Sequence, residues 1–420
     1  MKQALGISIN FEHVWSFEKS RLKRDFIESN WKPTFLFSDV TDIDDDGFAY
    51  EYVQGKRGKK VRVQKVDWII SGFSCRDASR LNQFHKERLS VVAENSHSTG
   101  STIGGVLALV ELASPSRVFL ENVPGLKDRP PMHEGQDDDP PQSNFDCVAE
   151  RLRGLGYSFS HSEFNAQSLG LPVARQRLFM QGRKGQHDEA MTTERMGEAL
   201  DLIISGSHKY HLDDFLFDDY DGLYEDWKAS PGKKHKRWDS IDDSWHELHK
   251  LWWAASPYST DRKYYQAQLV GNPFYLGMTE RVKDALLLHL CYYPFPGPER
   301  VEELAINLEA SADRIYHRQA STQCLVPRGQ IWLHHRQRVL LGVEALLLHG
   351  GGPHRLAYSP PRLLDKCSLA RFGRQRLLRA TIGELHLGLP LLVVTVCQAQ
   401  LLIIDVHTPQ KMIYDVRSLI

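Results

Sequence analysis

No two of the six cysteines, Cys75, Cys147, Cys291, Cys324, Cys367 and Cys397, stand at Cys-x-x-Cys spacing, which argues against a zinc site or any other bound metal. So few and so scattered, they fit a reducing compartment rather than a disulfide scaffold. A long unbroken apolar run is also missing. The most apolar stretch, Leu385 to Ile404, is interrupted by His386, Pro390, Gln398 and Gln400, and makes a poor membrane span. The start of the chain has no secretory signal. These absences point to a cytosolic or nuclear protein with no membrane partner.

Charge of one sign is not in excess either. Lys+Arg 52 stand against Asp+Glu 53, a net charge of −1. A surface for nucleic acid would therefore have to come from local clusters. Two exist, Lys56-Arg57-Gly58-Lys59-Lys60 and Lys233-Lys234-His235-Lys236-Arg237, and a solvated loop accounts for either equally well.

The 420 residues have room for two or three lobes, and an apolar fraction of 41% is ordinary for a globular chain. Short apolar runs at Val14–Phe17, Thr34–Phe37, Val66–Ile70, Arg117–Leu120 and Leu178–Met180 read as strands. A helical period runs from Ile103 to Leu112. Strands alternating with helices predict an α/β fold with a parallel, doubly wound sheet, in which ligands sit at the carboxyl ends of strands. Arg129 to Ser143 is loop-like. From about Gly185 to Tyr264 the pattern dissolves into a stretch rich in Asp, His, Lys and Trp, including Trp227, Trp238, Trp245, Trp252 and Trp253. Helical spacing returns at Met278–Tyr292 and Val343–Leu348. No internal repeat is seen.

Three strand boundaries carry reactive side chains. After the third strand comes Ser71-Gly72-Phe73-Ser74-Cys75-Arg76-Asp77-Ala78-Ser79. A cysteine between a strand and a helix N-terminus can be stabilised as its reactive thiolate; the alternative is an inert buried thiol. After the fourth strand comes Leu120-Glu121-Asn122-Val123-Pro124-Gly125, with Glu121 placed either for chemistry or as a solvated turn residue. Before the fifth, Arg175 and Arg177 alternate by two. In extended chain they face one side and present two guanidinium groups, or else they decorate a charged edge.

This order resembles the cytosine-C5 methyltransferase family, whose cysteine loop is usually Gly-Phe-Pro-Cys-Gln-x-Phe-Ser. Gly72, Phe73, Cys75 and Ser79 match, whereas Ser74 replaces Pro, Arg76 replaces Gln and Ala78 replaces Phe. Thr99-Gly100, and Leu325–Gly329 followed by Gly342-Val343-Glu344, resemble later motifs of the family. The resemblance implies a Rossmann-like, S-adenosylmethionine-dependent methyltransferase sheet with an irregular target-recognition lobe. It implies Cys75 as the nucleophile that adds to cytosine C6 and Glu121 as the partner of N3 and the exocyclic amine. Arg177 would hold the base O2, and Arg175 would support the loop. Gly6, Glu18, Asp39, Val40 and Ser74 would line the cofactor pocket, Glu18 on the ribose hydroxyls and Asp39 near the adenine. DNA is the implied partner and the nucleus the implied compartment. RNA, in the cytoplasm, and a catalytically inactive nucleic-acid-binding protein are the alternatives.

The corresponding division is a catalytic core at 1–185, truncated at its start, and a Trp-rich recognition lobe at 186–277. A helical return segment follows at 278–364, and an atypical tail at 365–420. Two family features are missing. The glycine loop of Phe-x-Gly-x-Gly-Gly type has no room before Glu18, although Gly6 is placed to be its last glycine. The closing Asn-containing segment does not follow Leu364. Codons permitted for Phe372 to Leu378, shifted by one base, would encode Gly-Asn, so the chain from about 367 onward is expected to be out of frame or read through a retained intron.

Overall fold

The computed structural model describes residues 12–82, 84–131, 141–185, 188–217, 244–255, 261–292, 304–308, 317–319, 321–325 and 330–348. Gly6, Trp227, Trp238, the basic run 233–237 and the whole of 365–420 lie outside the described residues. The described chain divides into two compact units, one from 12–169 and 176–208, the other from 170–175 and 209–348.

The first unit holds two four-stranded sheets. In one, β1 (Trp15–Phe17) runs parallel to β2 (Phe35–Phe37) with helix α1 (Arg21–Asn30) between them in sequence, and β3 (Phe48–Val53) and β4 (Lys56–Arg62) add an antiparallel hairpin. In the other, β5 (Trp68–Gly72) is parallel to β6 (Arg117–Asn122), joined through α2 (His97–Ala113). Helix α3 (Asn144–Gly154) leads from β6 to β7 (Tyr157–Asn165), and β8 (Gln176–Lys184) lies between those two strands and is antiparallel to both. The helical crossover thus joins strands of the same direction, and the returning strand fills the space it leaves.

Each strand expected from an apolar run is present. All residues of β1 and β5 are buried, as continuous hydrophobic strands covered on both faces should be. The doubly wound parallel expectation needs correction at Leu178–Met180, which belongs to the antiparallel β8. The reason is β7, whose Ser and His positions conceal its alternation. Tyr157, Phe159 and Phe164 are buried while the residues between them are mixed. The core of the unit gathers side chains from β1, β5, β6, α2 and α3, among them Phe17, Ile69, Ile103, Leu120 and Leu152.

The stretch expected to be irregular contains helices. In the first unit, α4 (Glu189–Gly206) is rich in Glu, Ala, Met and Leu, good helix formers. Its Glu189 meets Arg153 at 2.7 Å and accepts the Phe159 N–H at 2.7 Å. The second unit contains α5 (Ser244–Ala255), α6 (Arg262–Leu269), α7 (Glu280–Tyr292) and α8 (Gly342–Leu348). A small antiparallel sheet accompanies them, in the order β10 (His317–Gln319), β9 (Leu304–Asn307), β11 (Ile331–Leu333) and β12 (Arg338–Val339). Asp284 on α7 accepts from His249 at 2.8 Å and from the Trp253 indole at 3.0 Å, tying α7 to α5. Among the described residues, no helix is long and apolar enough to cross a membrane.

Candidate active site

Parallel pairing places the carboxyl ends of β5 and β6 side by side, with Gly72 opposite Glu121. The chain leaves β5 into the cysteine loop, and Cys75, three residues beyond the strand, is exposed. Cys75 is therefore not buried behind the sheet. Three contacts fix this loop. The Asn122 side chain, fully buried, donates to the Phe73 carbonyl at 3.2 Å. Gly125, in the turn after Glu121-Asn122, lies so close to the loop that a Cβ there would overlap the Ala78 carbonyl oxygen. The loop also closes on itself, the Ser79 N–H donating to the Cys75 carbonyl at 2.9 Å.

A further anchor is Asp77, 1% exposed. Its carboxylate accepts the Thr99 N–H at 2.8 Å, in the first turn of α2, and an N–H of the Arg88 guanidinium. Thr99 returns the bond, its hydroxyl accepting the Asp77 N–H at 3.0 Å. Burial by itself would raise the Asp77 carboxyl. The Thr99 N–H and the Arg88 charge outweigh it and hold the group below its ordinary value. The cysteine loop is thereby seated on the positive end of α2. Nearby, Ser74 and Ser98 hydroxyls lie 2.8 Å apart.

Glu121 is 7% exposed and meets the Arg177 guanidinium, Nε to Oε1, at 2.7 Å. The pair crosses from β6 to the adjacent β8, whose Phe179 stands opposite Glu121. Arg177 also donates to the Gln176 carbonyl at 2.7 Å. Arg175 falls in the second unit, on residues 170–175, where its N–H donates to the Val173 carbonyl at 2.9 Å. The segment 173–174 pairs there with Thr322-Gln323.

The cofactor candidates lie after β1 and β2. Glu18 is 2% exposed; its Oε1 accepts the Ser20 N–H at 2.7 Å, while Oε2 is buried without a hydrogen-bond partner among the described residues. A buried carboxylate oxygen left unmatched is costly. A sugar hydroxyl would satisfy it, so this position fits the ribose of an adenosyl group. Asp39, 7% exposed, accepts the Thr41 N–H at 3.1 Å and pairs with Lys19 at 2.9 Å. Val40 is buried against Gly105 of α2, where an added Cβ would lie 3.1 Å from the valine side chain. Gly6 lies outside the described residues.

Reading the sequence did not single out Asp77, Arg88, Asn122 as an anchor, or the cluster in which Asp128 receives Arg80 at 2.8 Å and His85 at 2.8 Å. Their partners are 11 to 49 residues away, too far for any local motif to announce them.

A family model described as C-5 cytosine-specific DNA methylase matches residues 3–270. The chain is 29% identical over 181 residues to the DNA (cytosine-5-)-methyltransferase DMT5 of Cryptococcus neoformans, covering 43% of this chain and 6% of that protein. It is 27% identical over 180 residues to the type II methyltransferase M1.BsuMI of Bacillus subtilis, covering 42% of this chain and 37% of that one. The chain thus spans well under half the length of these curated relatives. A solved structure of the Schizosaccharomyces pombe Dnmt2 methyltransferase overlaps half of this chain and 55% of its own, with 12% identity and a TM-score of 0.33. With the model matched over well over half of its length, the chain belongs to the C-5 cytosine-specific DNA methylases.

Proposed function

We propose that this chain transfers a methyl group from S-adenosylmethionine to C5 of cytosine in DNA, with Cys75 as the nucleophile. The observation that carries the reading is the juxtaposition at β5 and β6. An exposed thiol on an anchored loop follows Gly72, and the strand residue opposite Gly72 is Glu121, already oriented by Arg177 at 2.7 Å.

Cytosine C5 is a poor nucleophile until C6 is attacked. The Cys75 thiolate forms a bond from Sγ to C6, and the ring electrons shift so that C5 becomes the carbon of an enamine. When bound, the cofactor supplies the electrophilic methyl that C5 takes. Loss of the C5 proton to a base then restores the ring double bond and breaks the bond from C6 to Sγ. Glu121 would contact N3 and the exocyclic amine, and a proton carried by its carboxyl to N3 would neutralise the negative charge that sulfur addition places on the ring. Arg177 holds Glu121 in place and lies next to the base O2, with Arg175 supporting the adjoining loop. Glu18, Asp39, Val40 and Ser74 would hold the cofactor, the unmatched Glu18 Oε2 being an acceptor available to a ribose hydroxyl. Because the target carbon is inaccessible in a duplex, the base must swing out of the stack.

Transfer of a labelled methyl group to duplex DNA and, in parallel, to transfer RNA tests the reading. Incorporation into DNA that disappears in Cys75→Ser is expected. Incorporation only into RNA assigns the same chemistry to the other nucleic acid. Incorporation into neither contradicts the enzymatic reading.

A further inference from the structure

The β3–β4 hairpin turns at Gln54-Gly55, whose φ values are 51° and 74°. Two positive values of this kind match a two-residue turn to right-twisted strands. Of the seven residues of β4, Lys56, Arg57, Lys59, Lys60 and Arg62 are cationic. A regular strand would divide them between its faces. Here Tyr50 pairs with Lys60 and Tyr52 with Arg57, so that Gly58 and Lys59 together stand opposite Glu51. This bulge resets the alternation. Arg57, Lys60 and Arg62 consequently share the face of Phe48, Tyr50 and Tyr52, while the other face turns Ala49, 1% exposed, into the core.

The rings on the basic face are already covered. The Arg57 guanidinium lies 3.5 Å from the centre of the Tyr50 ring, and Arg24 of α1 lies 4.0 Å from that of Tyr52. Such contacts hold a guanidinium flat while its N–H groups point outward. Lys60 is paired with Asp44, whereas Lys56, Arg57, Lys59 and Arg62 form no ion pair among the described residues. Lysines on an edge strand also deter unwanted strand pairing, but that role does not call for a bulge that collects cations on one side.

We infer that the outer face of this hairpin docks on the phosphodiester backbone of duplex DNA, outside the site that holds the target base; the inference rests on the DNA reading above. Lys60 and Arg62, two residues apart on the same side of the bulge, stand about 6.8 Å apart, two steps of the roughly 3.4 Å charge spacing along one DNA strand. Covered rings offer charge rather than a stacking platform, so the face suits a duplex better than unstacked single strands.

The test is a salt series with the full chain and a fluorescently labelled duplex, read by anisotropy. Replacing Arg57, Lys60 and Arg62 by Gln is expected to reduce the slope of log affinity against log salt by about 2–3, since each phosphate no longer neutralised lowers it by about 0.9. The charge-conserving pair Arg57→Lys and Arg62→Lys should retain the slope. Should the triple variant not fold, Arg62→Gln alone carries the test, with a slope change of about 0.9. An unchanged slope overturns the inference, as does a change seen with single-stranded RNA but not with duplex DNA. At saturating duplex carrying 5-fluorocytosine, the triple variant should form the Cys75 adduct as the wild type does. A hairpin-dependent slope without any wild-type adduct removes the methyl-transfer reading alone. An adduct with an unaltered slope removes the docking surface alone.

Discussion

Asp77 and Thr99 bind each other twice: the carboxylate of Asp77 accepts the Thr99 N–H at 2.8 Å, and the Thr99 hydroxyl accepts the Asp77 N–H at 3.0 Å. This reciprocal pair joins the Cys75 loop to the first turn of α2, and Arg88 neutralises the buried charge. Replacing Asp77 by Asn removes the charge but nearly keeps the shape. The cost is expected to be about 2–3 kcal/mol, as for a hydrogen-bonded buried charge, measured by denaturant unfolding. Methyl transfer should fall further than stability explains.

The same pair fixes a pH dependence. The Asp77 carboxyl is held below its ordinary value of 3.8, so the unfolded chain binds its proton first as pH falls. The contribution to stability is complete above 3.8 and is lost as pH drops below it through the folded value. Thermal unfolding of wild type and Asp77→Asn should therefore converge on acidification; curves that stay parallel down to strong acid would contradict this assignment.

Thiol reactivity should separate the cysteines sharply. Cys75 is exposed, whereas burial raises the Cys147 thiol and pushes that of Cys291 up to about 12. Brief alkylation of the native protein at mildly alkaline pH, mapped by mass spectrometry, should label Cys75 well before Cys147 or Cys291. Equal labelling of the three would mean that the loop is not presented as described.

Gly125 is a backbone contact that no side chain can replace. A Cβ there would meet the Ala78 carbonyl oxygen, and the turn after Glu121 would have to retreat from the cysteine loop. Gly125→Ala should cost about 1–3 kcal/mol by overpacking and should lower kcat more than it raises KM. Wild-type turnover in this variant would show that the two loops need not touch.

In the second unit, Arg338 and Glu344 are both fully buried and joined by two hydrogen bonds of 2.8 and 2.7 Å. Glu344 also accepts the Leu341 and Phe217 N–H groups, each at 2.8 Å. Glu344→Gln removes the carboxylate charge that meets the buried Arg338 guanidinium and should destabilise this unit by about 3–5 kcal/mol. Unfolding monitored by the fluorescence of Trp253 and Trp332 reads that change; a midpoint equal to wild type would show that the pair contributes little.

The strands that carry the site were legible because they are buried on both faces and therefore spell unbroken apolar runs, as in Trp68-Ile69-Ile70. The β3–β4 hairpin was not, since its turn is Gln-Gly rather than Asn-Gly and β4 is almost entirely basic. Its charges read as a loop although its backbone pairs with β3 on both sides of the Gly58-Lys59 bulge. Cys75 and Glu121 could be picked out because each follows or ends a readable strand. Asp77 could not, because its meaning depends on Thr99, 22 residues on, and nothing local to either residue reveals the other. Ser and His positions in β7 hid the strand that makes β8 antiparallel.

The most direct test of the account is a covalent trap. The full chain, S-adenosylmethionine and a duplex in which the cytosines are replaced by 5-fluorocytosine should yield a protein–DNA complex that survives denaturation, because fluorine at C5 blocks the final release of the sulfur. The account predicts that the cross-linked peptide contains Cys75 and that Cys75→Ser gives no complex. A cross-link at another residue, or methylated DNA produced by Cys75→Ser, would contradict it.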